Sequence, residues 1–257
     1  MRYLVKIGSA LISKQNTIDL HWLSRKISEI ASLHDAGHEI IVVSSGAVAA
    51  GMETRGLTKR PTDPLALQLL SGQGQVKLIK YYKDLFMEKK IYIAQILLTH
   101  HNFTDDRETS TISTIIDAYL KDRVIPIINE NDMVNKEELE YERSFTDNDI
   151  LASLVAINSD VDKVLILTDV DGLHRKDPKS DSKSEIISVI PEITPEIVAM
   201  AQEGKSDLGL GGMASKLQAA QMVSENSIEM IIANGKYNLM DILDGKVPSS
   251  RFPGKQL

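Results

Sequence analysis

The sequence predicts an α/β fold in layers around a largely parallel sheet. Six short apolar runs carry the strands: 3-YLVKI-7, 39-EIIVV-43, 91-IYIAQILL-98, 124-VIPII-128, 163-KVLILT-168 and 228-IEMIIA-233. Most are continuous rather than alternating, the pattern of strands covered on both faces. Longer amphipathic stretches separate them, and neither an internal repeat nor a Pro/Ser-rich linker interrupts the alternation. With 257 residues the chain can bury one large core or two modest ones.

The helices follow from apolar spacing and end signals. Leu20, Leu23, Ile27, Ile30 and Ala31 form one stripe, which Gly37 stops. Asp63 then Pro64 is a cap and first-turn pair that opens a long helix through Phe86. Ile112, Ile115, Ile116, Tyr119 and Leu120 mark a third stripe. Asp147 can cap a fourth helix carrying Leu151, Leu154 and Val155, and Met213, Leu217, Ala220 and Val223 give the core face of a fifth. The charged stretches 134-VNKEELEYERSF-145 and 174-HRKDPKSDSKSE-185 read as surface loops. The first also reads as a lid, because polar motifs flank it on both sides.

Composition excludes several classes of function. The 36 acidic and 29 basic residues give a net charge of −7, which argues against nucleic acid as a partner, since phosphate contacts need a basic face. The absence of cysteine excludes disulfides and thiolate metal sites and fits a reducing compartment. Lys6 breaks the N-terminal apolar run, so MRYLVKIGSALIS is not read as a signal peptide. No stretch approaches the ~18 apolar residues of a membrane span. The expectation is a soluble, cytoplasmic protein with no membrane contact. All six histidines are expected in solvated positions. His34 and His38 have ligand spacing, but Gly37 breaks the helix between them.

Ligands of open α/β sheets bind beyond the carboxyl ends of the strands, so the residues there are the informative ones. The first strand contains Lys6 and ends in 8-GSA-10. A lysine in a doubly covered strand needs a paired charge or a cavity; that reading is preferred to an edge strand in water. The second strand ends in 44-SSGAVAAG-51, which is not the G-x-S-x-G elbow of hydrolases. The fourth ends in 129-NEND-132, and 146-TDND-149 opens a helix with more polar groups than a cap requires. The fifth ends in 168-TDVDG-172, too short for an EF-hand loop.

The stretch 204-GKSDLGLGGMASKLQAAQMV-223 puts bare backbone just ahead of Lys216. It fails the G-x-x-x-x-G-K-[ST] template, because Leu217 follows the lysine. Gly209, Gly211 and Ala214 satisfy G-x-G-x-x-[GA], but the preceding residues read as helix and turn rather than as a buried strand. Two readings stand level here: an anion-binding helix N-terminus, or a glycine-rich turn with a surface lysine.

Lys6-Ile7-Gly8-Ser9, SSGAVAAG at 44–51, INEND at 128–132, DND at 147–149, LTD at 167–169 and GLGGMASK at 209–216 occur in one order. That set resembles the amino acid kinase family and, within it, the glutamate 5-kinase branch, over essentially the whole chain. The resemblance implies a single domain over 1–257: a three-layer α/β/α sandwich around a mainly parallel sheet of about eight strands. It implies transfer of the ATP γ-phosphoryl group to the side-chain carboxylate of L-glutamate, the first step of proline synthesis, with Mg²⁺ as cofactor.

By position, the resemblance gives Lys6, Thr168, Asp169, Leu210, Gly211, Gly212, Met213, Ala214, Ser215 and Lys216 to ATP. It gives Ser45, Asp132 and Asn148 to glutamate, and Lys6, Lys216 and Asp149 to catalysis, with Asp149 ordering both lysines and no protein-held metal. Leu210 stands where many members have Thr. The C-terminal RNA-binding-like (PUA) domain of many bacterial members is not expected. A dimer or tetramer, and feedback inhibition by proline with 134–145 as its gate, are also implied.

The chemistry agrees with the residue types. A glutamate carboxylate, with pKa near ~4.3, needs no general base at neutral pH. The barrier lies in bringing it against a polyanion, so positioned positive groups matter most. Sibling kinases acting on aspartate or N-acetylglutamate, and a non-catalytic nucleotide sensor on the same fold, are the competing readings.

Overall fold

The computed structural model describes residues 1–134, 148–176, 184–203 and 212–255. Its main sheet contains β1 (Arg2–Ile7), β4 (Glu39–Ser44), β5 (Ile93–Leu98), β6 (Ile125–Glu130), β7 (Lys163–Thr168), β8 (Glu229–Asn234) and β9 (Ser249–Phe252). They lie in the order β5-β6-β4-β1-β7-β8-β9. Every pairing is parallel except β8 with β9. The resemblance implied about eight strands; the described residues place seven in this sheet. The short β2 (Ser13–Lys14) and β3 (Thr17–Ile18) pair separately as a hairpin. All six sequence-predicted strands are present, their ends moved by a residue or two.

Helices cover both faces. α2 (Leu20–Asp35), α3 (Ala47–Arg55), α4 (Pro64–Met87) and α9 (Leu239–Leu243) pack on one side, against Val5, Ile7, Val42 and Ile127. α5 (Asp106–Lys121), α6 (Asn148–Ile157), α7 (Pro195–Glu203) and α8 (Met213–Glu225) pack on the other, against Leu4, Val43, Ile128 and Ile166. A one-turn helix, α1 (Ser9–Ile12), follows β1. No helix among the described residues is long and apolar enough to cross a membrane.

End signals act as the sequence suggests. The Asp63 carboxylate accepts from Ala66 N at 2.8 Å, with Pro64 in the first turn of α4. Gly37, at φ +91°, ends α2. Asp147, the expected cap of α6, lies outside the described residues. Leu20 and Ile115 were expected on buried stripes but are each 43% exposed. Adjacent residues differ by about 100° around a helix, so Ile116 takes the core position and Ile115 falls beside it. His34 also departs from expectation: it is buried, with Nε2 3.1 Å from Arg123 O. His100 is half-buried, 3.9 Å from Glu130 Oε2. Both imidazoles lie near a partner on a neighbouring element, which histidine spacing alone does not disclose.

The topology fixes where a ligand would sit. The chain leaves β1 toward α2 on one face, and leaves β7 toward α7 and α8 on the other. These neighbouring strands therefore diverge at their carboxyl ends, which opens a crevice there. Side chains alternate along a strand, so Lys6 shares the face of Leu4, beneath α6 and α8.

One wall of that crevice depends on two glycines. A Cβ on Gly74 of α4 would sit 1.7 Å from Ala47 O, and one on Gly51 of α3 2.0 Å from Leu70 O. The two helices thus touch backbone to backbone. Gly74→Ala is expected to destabilise the fold by about 2 kcal/mol or more, since overpacking must push α3 and α4 apart. Urea unfolding of the variant beside wild type measures it.

Candidate active site

Asp149 is the centre of the crevice. It lies in the first turn of α6, is fully buried, and meets lysines from two distant parts of the chain. Lys6 Nζ from β1 is 2.5 Å from Oδ1. Lys216 Nζ from α8 is 3.0 Å from Oδ2. Both lysines are themselves 5–6% exposed. Burial alone would push the Asp149 carboxyl up; the two ammonium groups outweigh it and hold the acid down at about 2. The group is a net-positive triad, two cations on one anion, set at the mouth of a parallel sheet.

The N-terminus of α8 borders the triad. Gly212, exposed, is its cap residue and supplies no side-chain bond to the first-turn N–H groups. Ala214 is exposed, and Met213 packs partly against the core. The Ser215 hydroxyl lies 3.2 Å from Gly212 O and 3.5 Å from Asp149 Oδ2. A long side chain in the first turn leans back past the helix start, which is how Lys216 reaches Asp149. Of the predicted glycine-loop residues, Leu210 and Gly211 lie outside the described residues. So do 135–145 of the first charged loop and 177–183 of the second.

The ends of β7 and β8 are tied together. Thr168 Oγ1 donates to Asp169 Oδ1 at 3.1 Å, and Gly235 N donates to Thr168 O at 2.9 Å. Asn234 Nδ2 donates to Asp169 O at 2.8 Å, while its Oδ1 accepts from Lys236 N at 3.0 Å. Asn234 was not singled out from the sequence. Its signal was available: it is the polar residue that ends the sixth apolar run.

A second polar cluster lies at the ends of β4 and β6. Asn148, next to Asp149, donates from Nδ2 to Ser45 Oγ at 3.0 Å and Asn129 Oδ1 at 3.1 Å. Among the described residues its Oδ1 is buried with no hydrogen-bond partner. Asp132 is 8% exposed. The Ser71 hydroxyl donates to its Oδ2, and Gln68 Nε2 donates to its carbonyl at 3.1 Å. Burial raises the Asp132 carboxyl above its usual range, while Ser71 and Arg60 pull the other way. Gln75 accepts from Asn129 Nδ2 at 3.3 Å and donates to Glu130 O at 3.2 Å. Gln68, Ser71 and Gln75 were missed by sequence reasoning. They are polar residues at i, i+3 and i+7 inside the buried stripe of α4, and that spacing was the readable sign.

Among the described residues the donor set does not fit a protein-held metal ion. Among the described residues no three His, Asp or Glu side chains gather where one cation could be shared. Asp149, the most buried carboxylate of the site, already has an ammonium at each oxygen. Mg²⁺ is usually bound through one or two carboxylates together with substrate phosphates. Any ion here would therefore enter as the counter-ion of a polyphosphate.

This sheet and its paired lysines place the chain in a defined class. The model of the amino acid kinase family matches residues 1–234, and the chain belongs to that family. Two solved structures share the fold. An isopentenyl phosphate kinase has a TM-score of 0.65 at 17% identity, covering 98% of this chain and 100% of its own. The carbamate kinase from Giardia lamblia, bound to AMP-PNP, has 0.68 at 18% identity, covering 99% and 98%.

Within the family, curated relatives include the glutamate 5-kinase of Thermoanaerobacter sp. (strain X514). It is 37% identical over 260 residues, spanning 100% of this chain and 69% of the relative. The glutamate 5-kinase of Clostridium perfringens (strain 13 / Type A) is 34% identical over 261 residues, spanning 99% of this chain and 96% of the relative.

Asp149→Asn should destabilise the protein by about 3–5 kcal/mol, because two buried ammonium groups lose their anion. The native Asp149 pKa, about 2, lies below the ordinary 3.8. Its contribution is therefore complete above the unfolded-state pKa and is lost as pH falls through the native one. Guanidinium unfolding across a pH series is expected to give a wild-type advantage that is constant from pH 7 to about 5 and shrinks between about 4 and 2.

Proposed function

We propose that this chain, acting as a single domain, transfers the γ-phosphoryl group of ATP to the side-chain carboxylate of L-glutamate. The products are L-glutamyl 5-phosphate and ADP, as in the first step of proline biosynthesis. The observation that carries the reading is the pair of buried lysines on Asp149, next to a polar cluster suited to an amino acid. The curated glutamate 5-kinases, similar along nearly the whole chain, support the same substrate.

In this mechanism a glutamate side-chain oxygen attacks the γ-phosphorus in line, and the bond to the β,γ-bridging oxygen breaks. The attacking carboxylate is already ionised at neutral pH, so no base is required. Lys6 and Lys216 lie against the migrating phosphoryl group and offset the charge that otherwise keeps two anions apart. Asp149 holds both ammonium groups at fixed positions. This electrostatic ordering is made before substrate arrives.

The N-terminus of α8, with Gly212, Met213, Ala214 and Ser215, receives phosphate oxygens through its first-turn N–H groups. Leu210 and Gly211 extend that cradle by sequence. Thr168 and Asp169, at the switch point, take the nucleoside end. Asp132 holds the substrate ammonium, with the buried Asn148 Oδ1 as a second acceptor, and Ser45 orients the side chain between them. Mg²⁺ entering with the triphosphate would neutralise part of its charge, leaving the rest to Lys6 and Lys216.

The setting is cytoplasmic, consistent with a chain lacking cysteine. The assembly is a homo-oligomer: Leu65, Leu69 and Val76 leave an apolar stripe exposed on α4. Proline, which shares the α-amino acid ends of glutamate, competes at the Asp132 side of the site.

Trapping acyl phosphate as hydroxamate, with glutamate and aspartate compared, tests the reaction; equal rates with aspartate, or none with glutamate, would refute it. Lys216→Ala should lower kcat about 10²–10³-fold while changing the glutamate KM little. Asp132→Ala should instead raise the glutamate KM about tenfold or more with a smaller effect on kcat. Steady-state kinetics with each substrate varied separates the two.

A further inference from the structure

Tyr82 carries a polar group that no role above uses. It lies about two turns beyond Gln75 on the buried face of α4, with no solvent contact. Its ring packs nearly parallel to that of Phe86, centroids 6.4 Å apart, in the core with Val42 and Ile127. Its hydroxyl lies 2.8 Å from Ser44 Oγ, and Ser44, the last residue of β4, is equally buried. The Ser44 hydroxyl in turn donates to Ser45 O at 2.8 Å. A hydroxyl has one proton, so with that proton on Ser45 O the Tyr82 O–H is the donor to Ser44 Oγ. Burial raises the phenol pKa above its ordinary value, so this donor keeps its proton at any working pH.

The turn these bonds reach is the one that presents Ser45. Ser45 N donates to Ile7 O at 3.1 Å, which holds the turn to β1. Asn148 Nδ2 reaches Ser44 O at 3.3 Å and Ser45 Oγ at 3.0 Å, which holds it to α6. Gly46 follows at φ +107° and directs the chain into α3. Tyr82 supplies an anchor from a third element, α4. The same helix carries Ser71 to the Asp132 carboxylate and Gln75 to Asn129. It therefore reaches the ends of both β4 and β6, just beyond which stand Ser45 and Asp132.

We infer that Tyr82 is a positioning residue for the amino-acid substrate: through Ser44 it fixes the turn that aims Ser45 and sets its spacing from Asp132. A helix is stiff, and Ser71 and Tyr82 lie about three turns apart on it, so α4 acts as a spacer between the two strand ends. Tyr82 touches neither substrate. Its hydroxyl acts only through the turn, on the side of the crevice away from the lysines. This inference rests on the glutamate-kinase reading.

Tyr82→Phe removes one oxygen and keeps the ring in the core. It should raise the glutamate KM about three- to tenfold, the equivalent of one hydrogen bond, with a smaller effect on kcat and none on the ATP KM. Phe86→Leu, which disturbs the same core without reaching the turn, should leave the glutamate KM at its wild-type value. In a Ser45→Ala background, Tyr82→Phe should add little, because the group it aims is already gone. Turnover is followed as ADP release, at temperatures where thermal unfolding shows each variant to be folded. A Tyr82 that serves stability alone would lower the unfolding midpoint in Tyr82→Phe and leave the glutamate KM unchanged, and that result would overturn the inference. So would an equal rise in KM with Phe86→Leu, or the same factor again in the Ser45→Ala background. Wild type that releases no ADP with glutamate would remove the underlying reading and this inference with it.

Discussion

Two ammonium groups share one carboxylate that has no contact with solvent, and the geometry of the crevice depends on that arrangement. Lys6 is fixed by the central strand, Asp149 by the first turn of α6 and Lys216 by the first turn of α8. No two of the three are close in sequence. Each side chain reaches the meeting point only if β1 lies at the sheet centre with α6 and α8 over the same face. The interaction is therefore a consequence of the completed fold, and also a constraint on it: burying an unpaired charge would be far costlier than burying the triad.

The triad also explains the economy of the site. In the proposed reaction, transfer between two anions asks chiefly for positive charge fixed in advance, and the paired lysines would offer it. A single carboxylate between two lysines leaves the group net positive while keeping both nitrogens from drifting. Asn148, the neighbour of Asp149, ties the same helix start to Ser45 and Asn129. The turn that orders the lysines thus also borders the polar cluster at the ends of β4 and β6. On the other bank, Ser71 and Gln68 connect Asp132 to α4, whose place against α3 is set by Gly51 and Gly74.

Much of this was legible in the sequence, for identifiable reasons. Continuous apolar runs located six strands, because buried strands show little else. Lys6 stood out because a charge inside such a run demands a partner; the partner, 143 positions away, could be named only through the family resemblance. DND at 147–149 showed an excess of polar groups over a cap, without saying which one turned inward. Polar residues on a helix that face a polar partner were passed over: the i, i+3 and i+7 spacing of Gln68, Ser71 and Gln75 was readable, but it lies within a stripe dominated by core residues. Leu20 and Ile115 failed for the opposite reason: apolar residues flank a buried face as readily as they fill it.

The direct measurement is a crystal structure of the chain with ADP, glutamate and aluminium fluoride in place of the migrating phosphoryl group. The account predicts Lys6 Nζ and Lys216 Nζ each within about 3.2 Å of the fluoride while still bonded to Asp149, with the glutamate side chain on the opposite side. A fluoride bound elsewhere, or either lysine turned away from it, would contradict the central claim.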